Sequence, residues 1–428
     1  MASSSTYVPP ELEYEMPPQP EPVVVSRSEA YLTTPSTSYD TDSNKILRFS
    51  ITGDQMLDLS SIRIYADMDY KKGGNALDGA KDFVADNLGL FESIEIATAS
   101  GVVIERIDDA NLLSVIMSHL CFGEDWSNTT GSYSNSQKAL MARTIGGRFE
   151  INALRLCGFL HSGKFVQPSI LGGGIVFTLT LASGNKLVTQ KTVLDSNGNV
   201  VSAYAAPKLT LTNVKMHYDL CIMSQRYQEW YYRQYATKGF RIVWDSYQGH
   251  TTNTVALPAN EVQVPIQVTA KRCKAIVMVL RKDADVNPTG LDQYPGAFLS
   301  TGFVNGRYQL DVAGVRYPPS AIDSYARAHT EAVKVCYSNG DVQTENIPLH
   351  RFAQDWASTN VSTTRQGQFL MCLDFEKYNS SGESGIVIAP NAARFSMTFG
   401  GTGSTELATY LVRSQSLTVV GGQVVVDY

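Results

Sequence analysis

Apolar and polar residues alternate with a period of two along much of the chain. Residues 62–70 have the sequence IRIYADMDY, in which every second side chain is apolar. Residues 262–268 (VQVPIQV) and 395–399 (FSMTF) repeat the alternation in the second half. A period of two places one face of a β-strand in a core and the other in solvent. The pattern therefore predicts many short strands in both halves.

Three segments are predicted to be helices. One follows Asp108 and Asp109, either of which can cap its first turn. A second covers residues 224–235, with the aromatic-rich sequence SQRYQEWYYRQY. The third is introduced by the segment 317–320 (YPPS) and is expected to continue to about Tyr337.

The strands divide into two sets of roughly eight, which suits the double-sheet layout of a jelly roll. We predict an all-β protein of two tandem eight-stranded antiparallel jelly rolls with short inserted helices. Residues 41–221 are assigned to the first roll and residues 239–428 to the second. Residues 222–238 form an aromatic helix between them, and residues 1–40 form a tail.

Composition and charge exclude several classes of protein. Charged residues are only 18% of the chain, too few for a disordered or coiled-coil protein. The net charge is −6 and no basic cluster is evident, so sequence-specific or phosphate-coating binding of nucleic acid is not predicted. No apolar stretch is long enough for a transmembrane segment.

The tail is rich in proline and glutamate. Seven of the 17 prolines precede residue 36, and five Glu but one Arg fall within residues 1–30. Such a segment does not fold alone. It is either a disordered leader or an assembly arm that orders against a neighbouring subunit. The anchors of an arm would be its apolar residues, namely Val23, Val24, Val25, Tyr31 and Leu32.

No catalytic, cofactor or metal site is predicted. The six cysteines lack CxxC spacing and the six histidines lack HxH or HxxxH spacing. The glycine-rich segment 399–404 has no P-loop lysine and joins two predicted strands, so it is interpreted as a hairpin turn. We therefore expect a protein that is not an enzyme.

The helix between the rolls is the main candidate for contacts. Tyr227, Trp230, Tyr231 and Tyr235 are interleaved there with arginines. Aromatics among arginines can stack on single-stranded bases, but they are also typical of packing between domains or subunits. Packing is favoured because the chain is acidic overall. On this hypothesis Trp230→Ala removes a buried indole and costs about 3–5 kcal/mol.

Three segments resemble the double-jelly-roll major capsid proteins of icosahedral double-stranded DNA viruses, including polinton-like viruses, virophages and large DNA viruses. Residues 158–181 (GFLHSGKFVQPSILGGGIVFTLTL) are similar to part of their first roll. Residues 90–113 (LFESIEIATASGVVIERIDDANLL) are similar to an early hairpin and helix. Residues 207–230 (PKLTLTNVKMHYDLCIMSQRYQEW) are similar to the closing strand that leads into the helix between the rolls.

The resemblance implies a structural protein of the virion. In this family three copies form a pseudo-hexagonal capsomer, and capsomers tile an icosahedral shell. The partners would be the chain itself as a homotrimer, neighbouring capsomers, and minor capsid and penton proteins. Synthesis would take place in the cytoplasm or nucleus of the host cell.

Two alternatives remain from the sequence. One is a shell protein with a single jelly roll and a protruding domain, as in some small RNA or single-stranded DNA viruses. Such proteins often carry basic arms, whereas this tail is acidic. The other is a carbohydrate-binding β-sandwich protein, in which exposed aromatics would serve as sugar platforms.

Overall fold

The computed structural model describes most of both predicted rolls. It covers residues 23–72, 75–76, 81–83, 89–120, 148–190, 197, 207–256, 261–282, 306–338, 369–376, 385–389, 392–398 and 404–427. Residues 1–22 of the predicted tail, and residues 399–403 of the predicted hairpin turn, lie outside the described residues.

Strands dominate both halves of the chain. The first half contains β1 (Val24–Thr33), β2 (Ser38–Asp40), β3 (Ile46–Ile51), β4 (Met56–Asp58), β5 (Arg63–Lys72), β6 (Asn75–Ala76), β7 (Lys81–Phe83), β8 (Phe91–Thr98), β9 (Val103–Asp108), β10 (Arg148–Ile151), β11 (Phe165–Val166), β12 (Ile175–Leu181), β13 (Val188–Gln190) and β14 (Pro207–Met223). The second half contains β15 (Phe240–Ala256), β16 (Val262–Ile266), β17 (Ala270–Lys282), β18 (Arg307–Val312), β19 (Val315–Ile322), β20 (Met371–Asp374), β21 (Ile386–Ile388), β22 (Ala393–Thr398), β23 (Ser404–Val420) and β24 (Gln423–Asp427).

Helices connect the strands. The α-helices are α1 (Ala110–Leu120), α2 (Gly184–Leu187), α3 (Gln225–Thr237) and α4 (Tyr325–Ser338). Short 3-10 helices occupy Leu59–Ser61, Asn152–Leu156, Phe159–His161 and Pro168–Ile170. Helix α3 lies between the last strand of the first half and the first strand of the second half.

Each half is a sandwich of two antiparallel sheets. In the first half, one sheet has the strand order β10-β5-β14-β4-β11, with β1 and β2 paired to β14 and β6 paired to β5. It packs against a second sheet of order β3-β12-β8-β9, and β7 pairs with β13. In the second half, one sheet has the strand order β15-β23-β17-β20, with β21 paired to β17 and β24 paired to β23. It packs against a second sheet of order β16-β22-β18-β19. The prediction of two all-β jelly rolls is confirmed. A single roll with an unlike protruding domain does not fit two such sandwiches.

Burial follows the alternation that predicted the strands. Ile62, Ile64 and Ala66 are at most 2% exposed, and Phe395 and Met397 of β22 are as deeply buried. Their polar neighbours on the opposite side face outward, as a period of two requires. The sandwiches fill with apolar side chains from both sheets, which is the main source of their stability.

The first strand begins inside the segment that the sequence assigned to the tail. Strand β1 pairs antiparallel with β14, from Val24 opposite Met223 to Thr33 opposite Lys215, and β2 also pairs with β14. Strand β1 is exposed along most of its length, so it lacks the apolar alternation that marks a buried strand. Backbone hydrogen bonds to β14 hold β1 in place, and the composition of the segment does not reveal such pairing.

The prolines at 318 and 319 do not introduce a helix. They lie in strand β19, which pairs with β18, and helix α4 starts only at Tyr325. Strand β19 is the last strand of its sheet, and proline is tolerated on an edge because no neighbour needs its missing N–H.

The two sandwiches share one continuous apolar core. At their junction, the ring of Phe159 meets the indole of Trp244 edge-on, with centroids 5.2 Å apart. The Tyr410 hydroxyl of the second roll donates a 3.0 Å hydrogen bond to the carbonyl oxygen of Asp109 in the first. The rolls are therefore fastened by apolar contacts and by specific hydrogen bonds.

A carboxyl group is buried beside this junction. Glu105 of β9 is 1% exposed, and its two oxygens accept hydrogen bonds from the backbone N–H groups of Gly158 (3.1 Å) and Phe159 (3.0 Å). Burial raises the pKa of Glu105 from 4.5 to about 7, although these hydrogen bonds act in the opposite direction. The group titrates near neutral pH.

The contribution of Glu105 to stability should therefore fall as pH rises toward neutrality. The folded-state pKa lies above the unfolded one, so the contribution of Glu105 is full below about pH 4.5 and is lost as pH rises through about 7. The difference between the folded-state and unfolded-state pKa of Glu105 corresponds to about 3 kcal/mol of folding free energy. We expect urea unfolding of Glu105→Gln to show a smaller loss of stability between pH 5 and pH 8 than the parent. Glu95→Gln, on the neighbouring strand β8, is the control; equal losses in all three proteins would contradict the prediction.

Candidate assembly surface

The predicted arm residues lie along β1 and are largely exposed. Val23 is 43% exposed, Val24 39%, Val25 61% and Tyr31 59%. Leu32 is the exception, because it packs partly against the core of the first roll. Four of the five predicted anchors are thus available to partners outside the chain.

Polar contacts fix the arm along its length. The Arg27 guanidinium donates to Asp219 at 2.7 Å and to Asp58 at 2.8 Å. Farther along, the ring of Tyr31 stacks on His217 at 5.6 Å, and the Lys215 ammonium lies 4.8 Å from the centre of the Tyr31 ring. These contacts add to the backbone ladder with β14 and hold β1 in register.

Helix α3 is anchored by Tyr231. This side chain is 8% exposed and stacks on Phe240 with centroids 5.1 Å apart. It packs into a small separate cluster with Met56, Ile170, Cys221 and Met223. Burial also raises the pKa of its hydroxyl. Tyr231 therefore serves the packing role that the sequence proposed for the whole group of aromatics.

The other aromatic side chains of α3 differ in how far they are buried. Tyr227 and Tyr235 are half-buried at the edge of the Tyr231 cluster. Trp230 is 53% exposed, and its indole lies 5.4 Å from the ring of Tyr227. The expectation that Trp230 is buried within the chain is wrong. Its neighbour in sequence, Tyr231, takes that position because consecutive residues on a helix point about 100° apart.

The two side chains should therefore differ in their effect on stability. We expect Tyr231→Ala to lower the free energy of unfolding by about 3 kcal/mol, as for other buried aromatics. Trp230→Ala should change it by less than about 1 kcal/mol, because an exposed side chain loses few contacts. Thermal melting of both variants tests this directly, and a larger loss for Trp230→Ala would reverse the assignment.

The structure brings the arm and the helix together. The Ser224 backbone N–H, just before α3, donates a 2.9 Å hydrogen bond to the carbonyl oxygen of Val23. Val23, Ser224, Arg226, Tyr227 and Trp230 line a groove of about 320 Å³, here called the arm groove. The sequence singled out Val23, Tyr227, Trp230 and the arginines among the aromatics, but it did not predict that the arm and the helix line one groove. Their part in the groove depends on the pairing of β1 with β14, which no local pattern reveals.

The described ranges hold no cluster of three or more His, Cys, Asp or Glu side chains suited to a metal ion. Among the described helices, none combines the length and the hydrophobicity that a membrane crossing requires. Exposed apolar groups on the arm and on α3 are suited to contacts between proteins.

Comparison with known proteins places the fold. No protein-family model matches the sequence, and no curated protein matches it. Among solved structures, a chain of the Sputnik virophage is 11% identical with a TM-score of 0.59, covering 100% of this chain and 93% of that one. This chain has the double jelly-roll fold.

Two further structures extend the likeness over both rolls. The mavirus major capsid protein is 8% identical with a TM-score of 0.51, and the match covers 100% of this chain and 95% of that one. The Faustovirus major capsid protein is also 8% identical with a TM-score of 0.51, covering 97% and 93%. At such identities the likeness concerns the double jelly-roll fold.

Proposed function

We propose that this chain is the major capsid protein of an icosahedral double-stranded DNA virus. The observation that carries the proposal is the double jelly roll itself, which matches the mavirus and Faustovirus major capsid proteins over more than nine-tenths of each chain. The chain would act as a building block of the virion shell and would not be an enzyme.

The proposed role of the chain is mechanical and depends on the rigidity of each copy and on how the copies fit together. Two sandwiches with a shared core form a stiff unit, and the hydrogen bond from the Tyr410 hydroxyl to the Asp109 carbonyl oxygen resists sliding of one roll on the other. Three such units can close a ring when one surface of each copy fits a different surface of the next. Such a trimer of double rolls has six sandwiches and thus a pseudo-hexagonal outline.

Contacts between copies would use exposed apolar groups. Val25 and Tyr31 of the arm are more than half exposed, and aromatic residues are favoured in interfaces. The proposed partners are other copies in the trimer, neighbouring capsomers, and minor capsid and penton proteins. Synthesis in the host cytoplasm or nucleus would precede assembly.

Mass measurement tests the proposal. We expect the purified chain to sediment at three times 46.9 kDa and to carry no nucleic acid. The same preparation should assemble into closed shells when the accompanying minor proteins of its virus are added. A chain that is monomeric at micromolar concentration, or that co-purifies with nucleic acid in fixed proportion, would contradict it.

A further inference from the structure

The arm groove has an apolar surface that the described residues leave open. Its most prominent group is the Trp230 indole, 53% exposed, with the ring of Tyr227 alongside. The groove has a volume of about 320 Å³, and Arg226 lies at its border. Exposed aromatic rings arranged side by side form the kind of surface that binds proline-rich chains.

The direction of β1 leads the preceding residues to this groove. Strand β1 runs antiparallel to β14, with Val24 opposite Met223, and Val23 bonds to Ser224. Strand β14 continues into helix α3 one residue later. The N-terminal end of β1 therefore lies beside the first turns of α3, where Tyr227 and Trp230 are found.

The sequence that precedes Val23 suits an aromatic groove. Residues 16–22 are MPPQPEP, in which four of seven residues are proline. Proline favours the polyproline II helix, which loses little conformational entropy when it binds. Seven residues in this form span about 20 Å at roughly 3.1 Å each. Helix α3, with 13 residues, has a similar length of about 20 Å.

Charge also favours the match. Residues 16–22 contain Glu21 and no Lys or Arg, and three further glutamates, Glu11, Glu13 and Glu15, precede them. The exposed side of α3 carries Arg226 and Arg233, and its one acidic residue, Glu229, accepts a 3.0 Å hydrogen bond from Gln225. An acidic, proline-rich segment thus meets a basic, aromatic surface.

We propose that residues 16–22 bind the arm groove of their own chain as a polyproline II segment. The prolines pack on Trp230 and Tyr227, and Glu21 pairs with Arg226. The chain's own segment is the occupant because Val23, which lines the groove, follows it directly, so its effective concentration there is high. This interaction does not depend on the proposed capsid role.

Photo-crosslinking in the full-length chain tests the proposal. A benzoylphenylalanine replaces Gln19, between Pro18 and Pro20, and irradiation precedes trypsin digestion and mass spectrometry. We expect the main adduct on the peptide of residues 227–233 (YQEWYYR), in a product that migrates as a single chain. Combining Pro18→Ala with Pro20→Ala leaves the groove intact, and it should lower the yield at least about fivefold because the segment loses its preformed shape.

Matched groove variants complete the test. Trp230→Ala should lower the adduct yield by at least about fivefold, as for an anchor residue of an interface. Phe165→Ala removes an exposed aromatic outside the groove and should leave the yield unchanged. Adducts between two chains would assign the segment to a neighbouring copy and overturn the proposal. Adducts elsewhere, no adduct, or a yield that is indifferent to the two prolines would overturn it as well.

Discussion

Replacing Gly158 by alanine is expected to lower the free energy of unfolding by about 3 kcal/mol or more, as overpacking of a rigid contact does. A Cβ at this position would overlap the backbone oxygen of Asp245 and lie 2.9 Å from its carbonyl carbon. The φ angle of Gly158 is −64°, which alanine adopts without strain. The loss would therefore come from the contact between the rolls alone.

Gly249→Ala provides a graded control at the same junction. Its Cβ would lie 3.1 Å from the ring of Tyr410 and 3.2 Å from the oxygen of Asp108. Because the ring can move by a few tenths of an ångström, we expect a loss of about 1 kcal/mol. Urea denaturation compares the two variants. Equal stability of Gly158→Ala and the parent would show that the rolls do not pack this closely.

Replacing Lys274 by alanine is expected to cost about 3–5 kcal/mol, because it leaves a buried carboxylate without its partner. The Lys274 side chain is 5% exposed, and its ammonium lies 2.7 Å from Asp245 and 3.5 Å from Glu376. The Glu376 side chain is only 3% exposed. Burial raises the pKa of Glu376 and the Lys274 charge lowers it, so removing Lys274 raises it further.

Lys271→Ala is the matched control on the same strand. Lys271 is paired with Asp427, but its side chain is 70% exposed, so its loss should cost less than about 1 kcal/mol. Adding Glu376→Gln to Lys274→Ala should restore part of the stability, because the buried charge is then removed. Chemical denaturation of the three variants measures this. Similar losses for Lys271→Ala and Lys274→Ala would contradict the account.

Local sequence was sufficient for the strands with alternating burial and for the helix between the rolls. The period of two at residues 62–70 and 395–399 marked strands because burial repeats with the pleat. The aromatic segment at 224–235 was predicted as a helix, and α3 occupies Gln225–Thr237. These features depend on neighbours within a few residues, which a sequence displays directly.

Features that depend on distant residues were not predictable. The exposure of Trp230 and the burial of Tyr231 are set by Phe240 and by residues of the first roll. Glu105 sits in a strand that looks ordinary, and its burial follows from Gly158 and Phe159, more than fifty residues away. The strand β1 is likewise defined by its pairing with β14. Only the folded chain brings such partners together.

Cryo-electron microscopy of the purified chain tests the central claim most directly. The account predicts particles with a threefold axis and six jelly rolls arranged in a near-hexagonal outline, two from each copy. Particles that contain one pair of rolls, or two pairs related by a twofold axis, would contradict the proposed capsid role.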